Sequence, residues 1–384
     1  MAALFAAIAT WHSPAVADVA PAIDEAPIIE LFTMGPGELF VEKFGHAAMC
    51  VRWPRGELDP ETERPRRDTC YNYGTTDFKA PLSLGWGFLR GNAAFWVEKW
   101  PRARMIRHYI AKDRSLYVQT FDARNTPPAQ RRQMAEKLEY DARLENRHYE
   151  YHHFHDNCTT RVRDILNDGI GGTLRERTAA ARPGPTFRDY GRMGFAEDRW
   201  LLVLSDFMMG PDADRQPDAW QVMFLPDFLR AAVTETLGVA PRVIHERRGR
   251  EFAQSGSSGW GWTLLAGLLV ALPIILTRTL RRRERLGLAL SGSLLGLIGL
   301  LLWLVALVST LPELRWNQAL LLLLPTDLAL PFLSPPRRHR YAQLRLAVIA
   351  LVAVLALTNL FTQPLFIPIL FVLPTLITAA LPPR

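Results

Sequence analysis

The sequence predicts an α+β exported domain followed by an all-α membrane domain of about five transmembrane helices. Three observations carry this reading. The last third of the 384 residues is almost continuously apolar while the first two-thirds is charged, so a mean hydropathy of +0.01 averages two unlike regions. Arginines crowd alternate connectors between the apolar runs. In the charged part, short aromatic and β-branched segments are interspersed with capped helical ones. At 49% hydrophobic and 22% charged, with 3 Cys, the composition excludes disorder, collagen and a disulfide-knotted peptide.

From the N-terminus, residues 2–9 are apolar and Ala15-Val16-Ala17 before Asp18 has the small-x-small form of a signal-peptidase site, which predicts a signal peptide over residues 1–17. No Lys or Arg precedes it. Residues 18–252 form the exported domain. Within it, 28–32 reads as a strand, and 44–53 with 69–73 as a hairpin. A helix starts at Thr126-Pro127-Pro128, with Thr126 as cap, and runs to about residue 146. Residues 148–155 are extended. Asp156 caps a second helix over 157–167 that ends at Asp168-Gly169.

Residues 253–260 are a Gly/Ser-rich linker. Beyond it, runs at 261–277, 286–310, 316–332, 346–361 and 364–381 approach or exceed the ~20 residues that cross ~30 Å of hydrocarbon. Only Asp327 interrupts the third run. It is a functional candidate by position, but neighbouring Pro325 suggests a broken helix, so a re-entrant segment or a polar helix contact fits equally well and no catalytic role is assigned to it.

Arg278, Arg281, Arg282, Arg283 and Arg285 occupy one connector, and Arg337, Arg338, Arg340 and Arg345 another, against Arg315 alone on the alternate side. Positive connectors stay cytoplasmic, so the exported domain lies on the outer, extracytoplasmic side of its membrane. An odd number of spans leaves the C-terminus inside.

Export puts the cysteines in an oxidising compartment. If Cys50 and Cys70 pair across the hairpin, Cys158 is left free, and an unpaired thiol outside the cell suits a nucleophile. Cys158 falls in the first turn of its helix, where unpaired N–H groups and the helix dipole favour a thiolate and can hold an oxyanion. His46, earlier in the chain and on a strand, is the expected general base. His46, Ala48 and Cys50 share a strand face, and a Cys50–Cys70 bridge puts Asn72 on that face to orient the ring; if no bridge forms, Tyr73 takes that place.

Trp86, Phe95 and Trp96 belong to an aromatic-rich stretch expected to meet a lipid chain, and Arg161, one turn into the helix, a phosphate or carboxylate. His152, His153 and His155 lack a carboxylate at a familiar zinc spacing. No metal, cofactor or nucleic-acid partner is expected.

Phe44-Gly45-His46-Ala47, Tyr71-Asn72-Tyr73-Gly74, Glu145-Asn146-Arg147 with Tyr149 and Tyr151, and Asp156-Asn157-Cys158-Thr159-Thr160-Arg161 resemble the Lnb N-terminal periplasmic domain family. The set is also distantly similar to lecithin:retinol acyltransferase and to permuted papain-like enzymes, which implies a permuted papain-like fold for the exported domain. The resemblance implies lipoprotein N-acyl transfer through a thioester. An acyl chain moves from the glyceryl moiety of a diacylated lipoprotein to its N-terminal cysteine amine, giving the lyso-form, with Cys158 as nucleophile and His46 as base. The partners implied are the bilayer and a membrane lipid or diacylated lipoprotein. Other readings are a Cys-dependent lipid or amide hydrolase, and a non-catalytic protein that binds lipid or peptidoglycan.

Overall fold

Among the described residues, seven antiparallel strands form one sheet in the order β6-β4-β3-β2-β1-β5-β7. They are β1 (Ile28–Met34), β2 (His46–Arg52), β3 (Thr69–Thr75), β4 (Ala93–Pro101), β5 (Leu116–Phe121), β6 (His148–Tyr151) and β7 (Arg242–His245). The computed structural model describes residues 26–59, 62–182, 184–281, 283–358 and 360–382. The expected signal peptide lies outside the described residues.

Period-two alternation sorts the strands' side chains onto two faces. Among the described residues, nine helices accompany the sheet: α1 (Pro81–Arg90), α2 (Arg102–Ala111), α3 (Pro128–Asp141), α4 (Cys158–Gly169), α5 (Thr173–Thr178), α6 (Phe187–Phe195), α7 (Arg199–Met208), α8 (Ala219–Val222) and α9 (Pro226–Leu237). Leu31, Met49, Tyr71 and Tyr73 pack against Val162 and Leu166 of α4 and Leu138 of α3. On the other face Phe32, Ala48 and Cys50 meet Met105 and Tyr109 of α2. Each aliphatic or Phe side chain fully buried here contributes about 1.5–3 kcal/mol. Cys50 faces Cys70 in the β2–β3 register, Ala48 faces Asn72, and the two sulfurs are bonded.

The two helices expected from the sequence differ in their caps. The first starts after Pro127 and stops at Asp141, and Thr126 does not cap it. The second is capped by Asn157, whose Oδ1 accepts from the Thr159 and Thr160 amides at 2.9 Å each. Asp156 instead takes a bidentate contact from Arg161 at 2.6 and 2.8 Å, which draws it away from the helix start.

In the apolar third, α10 (Trp260–Thr279), α11 (Glu284–Val308) and α13 (Pro335–Ala356) are long and apolar enough to cross a membrane, and α14 (Phe366–Ala380) is shorter. The third expected span is not a long helix. It follows the short helix α12 (Pro312–Arg315) and contains only 3₁₀ turns, at Gln318–Leu321 and Pro325–Ala329. Pro325 and Pro331 each remove a backbone donor, which ends helical propagation.

This segment nevertheless lies alongside α11 from Gly292 to Trp303. Trp303 Nε1 donates to the Leu323 carbonyl at 3.1 Å, and Leu328 and Leu330 lie against Gly296 and Gly292. Non-helical backbone at this depth is tolerated because protein, not lipid, surrounds it. Asp327, 0% exposed, is held by Arg345 Nη2 at 2.8 Å and the Tyr341 hydroxyl at 2.7 Å.

The bundle ends are distinct. At one, Glu284 accepts from both Arg278 and Arg338 at 2.9 Å, and His339 bonds the Ala380 carbonyl at 2.6 Å, so α14 finishes beside the arginine-rich connectors. At the other, residues 309–317 grip the exported domain. Thr310 Oγ1 donates to the Arg90 carbonyl at 2.7 Å, Gly210 N to the Glu313 carbonyl at 2.5 Å, and Asn317 Nδ2 to the Phe207 carbonyl at 2.5 Å.

Candidate active site

The end of the sheet nearest the membrane domain carries the candidate chemistry. Gly91, just before β4, abuts Leu311, and β4 starts beside the end of β3 and hence beside the start of β2, where His46 stands. Gly45 supplies the bend into that position. Its φ is +79°, and a side chain there would stand 2.6 Å from the Met34 carbonyl oxygen.

His46 Nδ1 lies 3.1 Å from Cys158 Sγ. Cys158 is the first residue of α4 and is half-buried, and it is the free cysteine beside the Cys50–Cys70 bridge. Burial pushes its thiol up, but His46, by charge and by hydrogen bond, the Ala47 backbone N–H and the Thr159 hydroxyl outweigh this and bring it down to about 7. Because Asn157 occupies the Thr159 and Thr160 amides, the Cys158 amide is the donor at this helix start that no acceptor among the described residues takes.

Asn157 also fixes the loop that delivers the cysteine. Its Nδ2 donates to the His153 carbonyl at 2.8 Å and the Phe224 carbonyl at 3.2 Å. The cap, the loop and a neighbouring core are thereby tied to one side chain. Next to it, His152 Nε2 lies 3.2 Å from Glu313 Oε1, so the loop before the thiol touches the connector at the outer end of the membrane helices.

The imidazole is held mainly by shape. The Tyr109 ring stacks on it with centroids 6.1 Å apart and 24° between planes. On the β3 side stands Gly74, where a Cβ would come within 2.8 Å of His46 Cε1. Tyr109 and Gly74 are absent from the sequence-based site. Gly74 was within reach, since pairing Cys50 with Cys70 puts residues 46 and 74 opposite each other, whereas nothing in the sequence shows that α2 brings Tyr109 over the ring.

Other expected residues are placed differently. Asn72 is on the His46 side of the sheet, but among the described residues its side chain makes no hydrogen bond to His46 or to anything else, and its buried Nδ2 is unpartnered. Tyr73 points to the opposite face and donates to Asp141 at 3.0 Å. Neither makes a hydrogen bond to the ring. Arg161 forks on Asp156 and lies over the Tyr149 ring at 4.1 Å, so its guanidinium is engaged by its own loop.

Phe95, 3% exposed, stacks on Tyr151 at 4.5 Å inside the core and is closed to ligand. Trp96 is half-buried beside His148 on the edge of the sheet, whereas Trp86 is 51% exposed on α1. Burial pushes His152, His153 and His155 down, His153 to about 3. No cluster suited to a metal ion occurs among the described residues.

Residues 22–190 match the family model described as the Lnb N-terminal periplasmic domain. No curated protein and no solved structure matches the chain. The match and the apolar helices together define a membrane-anchored protein with a periplasmic domain.

Proposed function

We propose that this chain, whose residues 22–190 match the Lnb N-terminal periplasmic domain family, is a lipoprotein N-acyltransferase of the bacterial inner membrane. On this reading its exported domain is papain-like with the histidine permuted ahead of the cysteine. The observation that carries the proposal is the 3.1 Å contact between His46 Nδ1 and Cys158 Sγ at a helix start. The location of that helix start, beside the connector bearing Glu313, favours a lipid substrate presented from the membrane.

In the first half-reaction the Cys158 thiolate attacks an ester carbonyl of the glyceryl moiety, and the Cys158 amide holds the oxyanion. The C–O bond breaks as the imidazolium of His46 gives its proton to the departing glyceryl oxygen, leaving a lyso-lipoprotein and a thioester. In the second half, His46 takes a proton from the attacking α-amine of the N-terminal cysteine. The C–S bond breaks, the amide forms and the thiolate returns. A thioester intermediate suits this acceptor because amines attack thioesters more readily than oxygen esters.

With acceptor amine withheld, Cys158 should gain the mass of one acyl chain, removable by neutral hydroxylamine. Lipoprotein N-termini from cells carrying the chain should be N-acylated lyso-forms, and those from cells with Cys158→Ser or His46→Ala should not. An acyl-enzyme that discharges only to water would make the protein a hydrolase. Full activity in Cys158→Ala would remove the nucleophile and leave a lipid-binding protein.

A further inference from the structure

Two helices of the exported domain repeat one pattern. On α1, Leu82, Trp86 and Leu89 fall at i, i+4 and i+7 and so share a face. Leu89 is seated with Val305 and Leu311 at the outer end of α11, while Leu82 and Trp86 are 89% and 51% exposed. On α7, Trp200, Leu204 and Phe207 have the same spacing. The Phe207 ring meets that of Phe371 in α14 at 5.0 Å, while Trp200 and Leu204 are 61% and 51% exposed.

Each stripe is therefore anchored on a membrane helix at one end and open along the rest. No charged residue lies between Lys79 and Arg90, or between Arg199 and Asp206. Arg199 lies over the Trp262 ring at 4.2 Å, in the manner of a cation at the edge of an apolar zone. Trp260 and Trp316, 55% and 65% exposed, lie at the same end of the bundle, where an interfacial aromatic belt belongs. Apolar surface of this extent, continuous with the flanks of membrane helices, matches lipid.

We infer that α1 and α7 lie in the periplasmic headgroup region with Leu82, Trp86, Trp200 and Leu204 in contact with acyl chains, so that the catalytic domain is partly sunk in the outer leaflet. The opposite side of α1 turns Phe88 onto the Tyr151 ring at 5.5 Å, in the layer beside α4. An acyl chain then reaches Cys158 sideways, without leaving the bilayer. The inference rests on the membrane-spanning reading of α10, α11 and α13, and not on the identity of the transferred group.

The test uses the full chain with Cys158→Ser, in nanodiscs of phosphatidylethanolamine and phosphatidylglycerol. Single cysteines at Leu82→Cys and Leu204→Cys carry an environment-sensitive nitrobenzoxadiazole label. Leu58→Cys is the control, since Leu58 is 54% exposed in the hairpin at the far end of β2 and β3. Labels at 82 and 204 should emit to the blue of the control, lose intensity to doxyl-labelled lipids and resist aqueous iodide. Iodide quenching at either position, without quenching by doxyl lipid, overturns the inference. That result leaves the acyl-enzyme assay untouched, so the two readings fail separately.

Discussion

Gly74 stands opposite His46 across the β2–β3 pair, and the imidazole occupies the space that a side chain at position 74 would fill. A Cβ there would approach His46 Cε1 to 2.8 Å and Nδ1 to 3.2 Å. Gly74→Ala should therefore displace the ring from Cys158 without disturbing the cysteine's helix. A misplacement of about 1 Å at a reacting pair costs on the order of a hundredfold. Acyl-enzyme formation should fall by about that much while the thermal melting curve stays close to that of the parent, and an unchanged rate would mean that the ring has room elsewhere.

The thiol titration provides a second prediction. Burial acts against the thiolate, but His46, the Ala47 N–H and the Thr159 hydroxyl bring Cys158 to about 7 from an ordinary value of 9.0. Alkylation should therefore rise through an inflection near pH 7, and His46→Ala should move the inflection upward. Because the folded value is the depressed one, the interaction stabilises the fold above the unfolded thiol's value and is lost as pH falls through about 7. Asn72→Ala should leave the inflection in place, since Asn72 makes no bond to the ring; a shift would restore it as the orienting residue.

How far the sequence reached depends on what each signal encodes. An odd cysteine at a helix start and a histidine on an earlier strand are chemical signals, and the chain brings those two together. The disulfide parity also indicated the side of the sheet on which Asn72 lies, but parity says nothing about whether a side chain reaches its neighbour. Asp156 and Asn157 are both good caps by residue type, and the sequence does not show the Arg161 fork that engages Asp156 or the long-range bond from Asn157 to the Phe224 carbonyl. Phe95 and Trp96 look equally lipid-seeking in one dimension. Alternation along β4 sends Phe95 into the core and Trp96 to the other face. For residues 316–332, hydropathy reports membrane depth but not backbone shape, and the two prolines were the available sign of a broken course.

A third prediction concerns the Cys50–Cys70 bridge, which closes a loop of 20 residues. Restricting the unfolded chain over such a loop is worth about 3 kcal/mol. Replacing both cysteines by alanine should lower the melting temperature of the exported domain and leave the Cys158 alkylation profile unchanged, because both sulfurs are buried in the layer with Met105 and Leu116, away from the thiol. A changed profile would mean that the bridge sets the position of His46 at the other end of β2.

The final prediction separates shape from charge inside the membrane domain. Asp327 is fully buried in a non-helical segment and takes Arg345 Nη2 at 2.8 Å, Nε at 3.2 Å and the Tyr341 hydroxyl at 2.7 Å, while Arg345 Nη2 also donates to the Leu322 carbonyl at 2.7 Å. The pair thus pins the irregular segment to α13 at two points. Removing one partner leaves an uncompensated buried charge, at a cost of about 3–5 kcal/mol, whereas replacing both by apolar residues of similar size is often close to neutral. Asp327→Leu should therefore lower the detergent melting temperature sharply, and Asp327→Leu with Arg345→Leu should recover most of it. Acyl-enzyme formation in the double variant should remain near the parent level, because the pair lies within the bundle and the chemistry at its outer end. If the double variant is as stable as the parent but inactive, Asp327 has a part in the reaction, and the assignment of all the chemistry to Cys158 and His46 would fail.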